Sequence, residues 1–307
     1  MGVWIDTDMG FDDIAAILVV AHSGMTIDGV SLVMGNAPLD RVRATAASAA
    51  AAFSWDFPIH SGRAMPVLCR LETAQVILGD SGIRSIGRIL PAAPPLAHSD
   101  AFAAMCAWLE TAEEPHRILA LGPLTNIAAV TLARPDLAAK ISELTWMGGG
   151  VTSGNHNASA EFNAFADPEA LAIVLAHGLP LRMVDLDICR KVRATMEDVE
   201  SVRLNDGRHA GLLADLLAGY VAIGTSRGRS GMALYDPTAA AIFVAPDIAV
   251  FQRARIDVEL EGRYTRGRTI VETRPSHAVF NAHYAAEIDA DMARAAILGA
   301  LSKEASR

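Results

Sequence analysis

The chain has 307 residues, 51% of them hydrophobic and 20% charged, enough apolar content to bury a large core and to exclude a disordered or fibrous polymer. Its 26 Lys and Arg against 35 Asp and Glu give a net charge of −9, which repels a phosphate backbone and argues against nucleic acid as a partner. No apolar run reaches the roughly 20 residues of a membrane span and no basic segment precedes a hydrophobic one at the start, so the expected compartment is the cytoplasm.

In chain order the pattern alternates short apolar runs with longer helical ones. Strands are expected at Val3 to Ile5, Ile27 to Met34, Arg117 to Leu121, Glu143 to Met147 and Leu181 to Val184. Helices are expected at Asp12 to His22, Leu39 to Phe53, Ala101 to Thr111, Leu124 to Arg134 (closed by Pro135) and Pro168 to His177. The last third reads as helices at Met196 to Leu204, Ala210 to Ile223, Pro237 to Val244 and Ala290 to Leu301, with strands at Arg255 to Glu261 and Thr269 to Thr273. This order implies an α/β fold: one domain over residues 1–307, with a mostly parallel, Rossmann-like central sheet flanked by helices and a small β-hairpin added near the C-terminus. The cysteines Cys69, Cys106 and Cys189 are too scattered for a disulfide frame or a metal motif and suit core filling.

In a parallel sheet ligands bind outside the carboxyl ends of the strands, so the residues after each strand carry the information. They are Asp6-Thr7-Asp8-Met9-Gly10-Phe11-Asp12-Asp13, Gly35-Asn36, the run from Gly122 to Asn126, a loop with Asn155, Asn157, Glu161 and Asn163, and Asp185 with Asp187. Four carboxylates within the eight residues from Asp6 to Asp13 repel one another unless a cation sits among them. All these ligands are oxygen, with no His or Cys at metal spacing, which favours a hard divalent ion over zinc. Capping a helix needs one acid and not four.

These residues resemble the inosine-uridine preferring nucleoside hydrolases. The signature DxDxGxDD stands at Asp6 to Asp13, with Met9 where the family usually has Pro, and Gly35-Asn36, GPLTN from Gly122 to Asn126, MGG from Met147, EFN from Glu161, Asp167-Pro168-Glu169-Ala170 and Asp236 follow in family order. The resemblance implies hydrolysis of the N-glycosidic bond of ribonucleosides to free base and ribose, within nucleoside catabolism and purine salvage. It implies one Ca²⁺ held by Asp8, Asp13, the carbonyl of Thr125 and Asp236, with Asp12 as the base that takes a proton from the attacking water. Asn36 and Asn163 would hold the ribose diol side, Asn155 and Glu161 the 5′-hydroxyl, and Met147 would pack by the sugar. A small nucleoside is the implied partner, with no nucleic acid and no membrane, and the implied assembly is a homodimer or homotetramer. Independently of the family, a ring of carboxylates and amides suits the positive charge that builds on the ribose as that bond breaks.

The chain departs from the family at the leaving group. Tyr235 stands where many members place a His before the last calcium-binding Asp, and Leu78 stands where pyrimidine-tolerant members carry a second His. An aromatic at the first position resembles the purine-specific branch, which stacks the base, so the expected lean is to purine nucleosides, with pyrimidine or modified-base ribosides as the alternative. The Tyr235 phenol could also donate a proton, and His156, His209, Tyr220, Arg227 and Arg229 are further candidates for that end of the site. The rivals from other classes are a haloacid-dehalogenase-like phosphatase, which also begins DxD after a strand, and a non-catalytic sugar- or calcium-binding module. The phosphatase needs a GDxxxD element on a late strand, and Gly79-Asp80 comes too early for it.

Overall fold

The computed structural model describes residues 2–111 and 115–307. Strands β1 (Gly2–Thr7), β2 (Thr26–Leu32), β3 (Ile59–Ser61), β4 (His116–Ala120), β5 (Ile141–Met147) and β6 (Leu181–Val184) alternate with helices. Two short strands, β7 (Arg193–Ala194) and β8 (Met232–Ala233), pair only with each other, and β9 (Ala249–Val258), β10 (Thr269–Glu272) and β11 (Ala282–Ile288) follow. The large sheet runs β10-β9-β11-β6-β5-β4-β1-β2-β3. Every neighbour from β11 to β3 pairs in parallel, while β9 is antiparallel to both β10 and β11.

The chain therefore starts mid-sheet, winds out to β3, then returns through β4 on the other side of β1. A crevice opens where the order reverses, outside the carboxyl ends of β1 and β4. The helix Phe11–Ala21 is apolar on nearly all sides, with Ile14 to Val20 buried, because it is enclosed between the sheet and the helices Tyr235–Val244 and Ala290–Ala305. Among the described residues no helix is long and apolar enough to cross a membrane.

The expected α/β architecture holds, with three local corrections. Pro135 does not merely close the preceding helix; that helix ends at Ala133 and Pro135 opens a new turn, Pro135–Ala138, in the first helical position where a missing N–H costs nothing. The hairpin β9–β10 is real and β10 is an edge, but β11 lies between the hairpin and β6. That strand faces the core with Ala282 and Ala285, residues of weak strand preference, so its alternation is faint in the sequence. The helix expected from Pro237 begins at Tyr235, which places Tyr235 and Asp236 in its first turn.

Candidate active site

The acidic cluster is assembled by two helix starts. Asp12 and Asp13 lie in the first turn of Phe11–Ala21, Asp236 lies in the first turn of Tyr235–Val244, and these helices pack together. Two positive helix ends therefore face three carboxylates, whose oxygens come within 4.8 Å of one another. Asp8 joins them through Asn36, whose backbone N–H and Nδ2 donate to Asp8 at 2.7 and 2.8 Å, while Nδ2 also reaches Asp13 at 3.3 Å. This contact needs Gly35, where a Cβ would stand 2.0 Å from the Asp8 carboxylate. Asp13 is fixed further by Thr7 Oγ1 and by Gly10 N at 2.7 Å. Met9 turns the chain between them with φ 56°, a conformation closed to the proline of the family signature, and its N–H reaches Thr7 Oγ1 at 3.0 Å.

Burial, and then the charge of its neighbours, holds Asp8 and Asp236 well above the usual carboxylate range. Burial also raises Asp13, against the donors Thr7 and Gly10. Asp12 is pushed up to about 7 by desolvation and by the Asp13 charge, against the hydrogen bond from Tyr220. Among the described residues no Lys, Arg or His bonds to any of the four aspartates. An all-oxygen set of desolvated acids without a cationic partner is the donor chemistry of a hard divalent metal, and the residues present fit one.

Asp6, the first acid of the run, is not part of this set. It accepts from Asn126 Nδ2 at 2.7 Å and from Ser31 Oγ, which ties β1 to β2 and to the helix Thr125–Ala133. Thr125 is buried at the start of that helix with its hydroxyl on Asp167 at 2.6 Å, and neither Thr125 nor Asp13 lines the cavity.

The cavity, about 400 Å³, has Asp8, Asp12, Asp236 and Asn36 at one end and Met147, Asn155, Glu161 and Asn163 on its wall. Asn163 spends both amide hydrogens on the carbonyls of Leu121 (2.8 Å) and Met147 (3.0 Å), which leaves its Oδ1 as an acceptor. Asn155 does the reverse, accepting from Phe162 N at 2.9 Å and keeping its amide hydrogens. Glu161 caps the helix Phe162–Ala166, taking N–H bonds from Gly149, Asn163 and Ala164, yet burial still raises it to about 7. Asp185 and Asp187 lie outside the cavity; they cap the turn Leu186–Cys189 and hold the backbone of Val151 and Thr152.

Tyr235 and Leu78 both line the cavity, the latter from the short helix Gln75–Leu78. His209 does not: it is buried against Glu304 at 2.6 Å. The Tyr220 hydroxyl lies 3.0 Å from Asp12 Oδ2 and 2.7 Å from the carbonyl of Ala233, and its one proton is shared between them. Sequence reasoning missed this contact and the wall residues Glu72, Ile77, Ile223 and Met232. Tyr220, Ile223 and Arg227 recur at helical spacing along one face, and that period was the available signal.

A family model described as inosine-uridine preferring nucleoside hydrolase matches residues 3–295. The chain belongs to this family. The nucleoside hydrolase is 31% identical over 274 residues to the pyrimidine-specific ribonucleoside hydrolase RihA of Escherichia coli O127:H6, covering 88% of each chain. It is 32% identical over 269 residues to the non-specific ribonucleoside hydrolase RihC of Salmonella paratyphi B, covering 87% of this chain and 86% of the relative. Its fold superposes on the purine-preferring ribonucleoside hydrolase from Gardnerella vaginalis with a TM-score of 0.91 and 26% identity, over 100% of this chain and 99% of that one. The protein is a ribonucleoside hydrolase, an N-glycosidase that acts on a small nucleoside substrate, and the phosphatase and binding-module readings fall.

Proposed function

We propose that the protein is a Ca²⁺-dependent ribonucleoside hydrolase with a lean to purine nucleosides. The observation that carries the reading is the cluster of Asp12, Asp13 and Asp236, joined to Asp8 through Asn36, of which Asp8, Asp12 and Asp236 line one end of a cavity walled by amides and carboxylates. Calcium is favoured because the clustered groups are carboxylates, hard oxygen donors that suit a flexible shell of six to eight oxygens, to which the family resemblance adds the carbonyl of Thr125. Asp8, Asp13, Asp236 and the carbonyl of Thr125 would hold it. Bound there, the metal would act as a Lewis acid toward the attacking water and the ribose diol.

Asp12 takes the proton of that water, its carboxyl oriented by the hydroxyl of Tyr220. Asn36 and the free Oδ1 of Asn163 bind the diol side, and Asn155 with Glu161 binds the 5′-hydroxyl. Met147 packs on the sugar. These anchors use binding away from the reacting carbon to orient it, so a 2′-deoxynucleoside leaves partners unpaired and reacts poorly.

Tyr235 supplies an aromatic face to the base. Desolvation raises its phenol above the ordinary tyrosine value, so it holds its proton and acts by stacking, worth about 1–3 kcal/mol per base. Apolar Leu78 on the same wall extends that surface. The purine lean rests on this pair, and pyrimidine or modified-base ribosides are the second reading, favoured by the similarity to the pyrimidine-specific RihA. We further infer one catalytic domain over residues 1–307, acting in the cytoplasm in nucleoside catabolism and purine salvage. The family resemblance also suggests a homodimer or homotetramer, for which the exposed apolar side chains of Leu68 and Val76 are candidate contacts. The test is kcat/KM for inosine and uridine in the wild type, Tyr235→Phe and Tyr235→Leu. A wild-type inosine preference that survives in Tyr235→Phe and shrinks in Tyr235→Leu supports stacking; a uridine preference rejects the lean.

A further inference from the structure

We propose that His156 is the catalytic residue that hands a proton to the departing nucleobase. This rests on the nucleoside-hydrolase reading of the site and assigns it the acid that Tyr235 and Leu78 do not supply.

Tyr220, Tyr235 and Arg227 also line the cavity with groups that can donate a proton or a hydrogen bond. Tyr220 is committed to Asp12 and to the Ala233 carbonyl. The Tyr235 phenol is held by desolvation in its protonated form. Arg227 lines the cavity and its backbone N–H bonds to the Gly224 carbonyl, while its guanidinium has no hydrogen-bond partner among the described residues; a guanidinium donates hydrogen bonds without transferring a proton. His156 is the one histidine on the cavity wall among the described residues.

Its setting is that of a positioned ring with free nitrogens. The imidazole stacks on Phe165 with centroids 4.0 Å apart and planes 22° apart, and lies 5.9 Å from Phe162, itself a wall residue. Neither ring nitrogen has a hydrogen-bond partner among the described residues. By contrast His22 and His209 are spent on Glu304 and His60 on Ser99. The preceding residue, Asn155, lines the same cavity, so one loop presents both the amide proposed for the 5′-hydroxyl and the imidazole to the space that Tyr235 and Leu78 also line. Burial lowers the ring's pKa, which makes the imidazolium a readier donor, while the Glu72 carboxylate favours the charged form.

The step balances as follows. The C1′–N bond breaks and its electron pair passes to the nucleobase nitrogen. The imidazolium of His156 gives its proton to the nucleobase and becomes neutral imidazole. Water adds to C1′ and its proton goes to Asp12, and exchange with solvent moves a proton from Asp12 back to His156. The net reaction is nucleoside plus water to ribose plus free base.

The test compares inosine with 4-nitrophenyl β-riboside, whose leaving group departs as a stable phenolate without taking a proton, using the full-length enzyme with Ca²⁺. His156→Phe keeps a ring on Phe165 and removes the donor, and His156→Ala removes both. The expected result is a loss of about 100-fold in kcat/KM for inosine in both variants, with nitrophenyl riboside changed by no more than about threefold in His156→Phe. Inosine turnover retained in His156→Phe overturns the inference, as does an equal loss on both substrates. A wild type that cleaves nitrophenyl riboside but not inosine leaves the hydrolase site standing and overturns the acid. A wild type that cleaves neither overturns the hydrolase reading and the acid with it.

Discussion

The phenol of Tyr220 lies 3.0 Å from Asp12 Oδ2 and 2.7 Å from the Ala233 carbonyl, its one O–H proton shared between these two acceptors, so one hydroxyl spans the helix Ala210–Thr225, strand β8 and the start of Phe11–Ala21. Burial holds that phenol well above its ordinary pKa, and it remains a donor. Tyr220→Phe should lower kcat about 10-fold with KM little changed, the loss expected for one hydrogen bond to a charged acceptor. An unchanged kcat would remove Tyr220 from the positioning of Asp12.

Asp12→Ala should leave the fold intact, because Asp12 caps no other element, and should remove most of the turnover while nucleoside binding persists. Proton abstraction by a positioned base contributes about 10²–10⁴-fold, which sets the expected loss in kcat. Nucleoside affinity is read by titration calorimetry, and normal turnover would contradict the role of base.

Gly35→Ala tests the geometry of the ion site without touching a ligand. The new Cβ would stand 2.0 Å from the Asp8 carboxylate and displace it from Asn36. Calcium affinity should fall by more than about 10-fold, the cost of one lost charged hydrogen bond, with the far-UV circular dichroism spectrum unchanged. Undiminished calcium binding would show that Asp8 does not need that contact.

The pH dependence of stability has a definite sign. Burial raises Asp6 and Glu161 to about 7 from 3.8 and 4.5, and Asp185 to about 6 from 3.8. Each group then binds its proton more tightly folded than unfolded. Its stabilising contribution is full below the unfolded value and is lost as pH rises to the folded one, by about 1.4 kcal/mol per pH unit for each proton. Chelator-treated protein should therefore show a lower Tm near pH 8 than near pH 5, with Ca²⁺ raising Tm more at the higher pH. An unliganded Tm that increases over this range would contradict the assignment.

The sequence made the parallel sheet and its crevice legible because the βα alternation and the polar residue after each strand are local signals. The family motifs pointed to Asp8, Asp12, Asn36, Met147, Asn155, Glu161, Asn163, Tyr235 and Asp236, which all line one cavity, and to Asp13 and Thr125, which do not. What it hid is long-range. Asp6 reads like its neighbours in the DxD run, yet its carboxylate turns to Ser31 and Asn126 and braces the strand ends. The Tyr220–Asp12 bond joins residues 208 apart, and the segment carrying Glu72 and Leu78 is irregular, so no period marks it. His156 and His209 were equal candidates until packing set one on the cavity wall and the other against Glu304.

The central claim is that this cluster of carboxylates makes a calcium-dependent hydrolase, and ribose release measures it most directly. Chelator-stripped protein is assayed with inosine, adenosine, guanosine, uridine and cytidine, with and without added Ca²⁺. The account predicts ribose from ribonucleosides only when Ca²⁺ is restored, fastest from a purine. Full activity without added metal, or no release from any of the five with Ca²⁺ present, would contradict it.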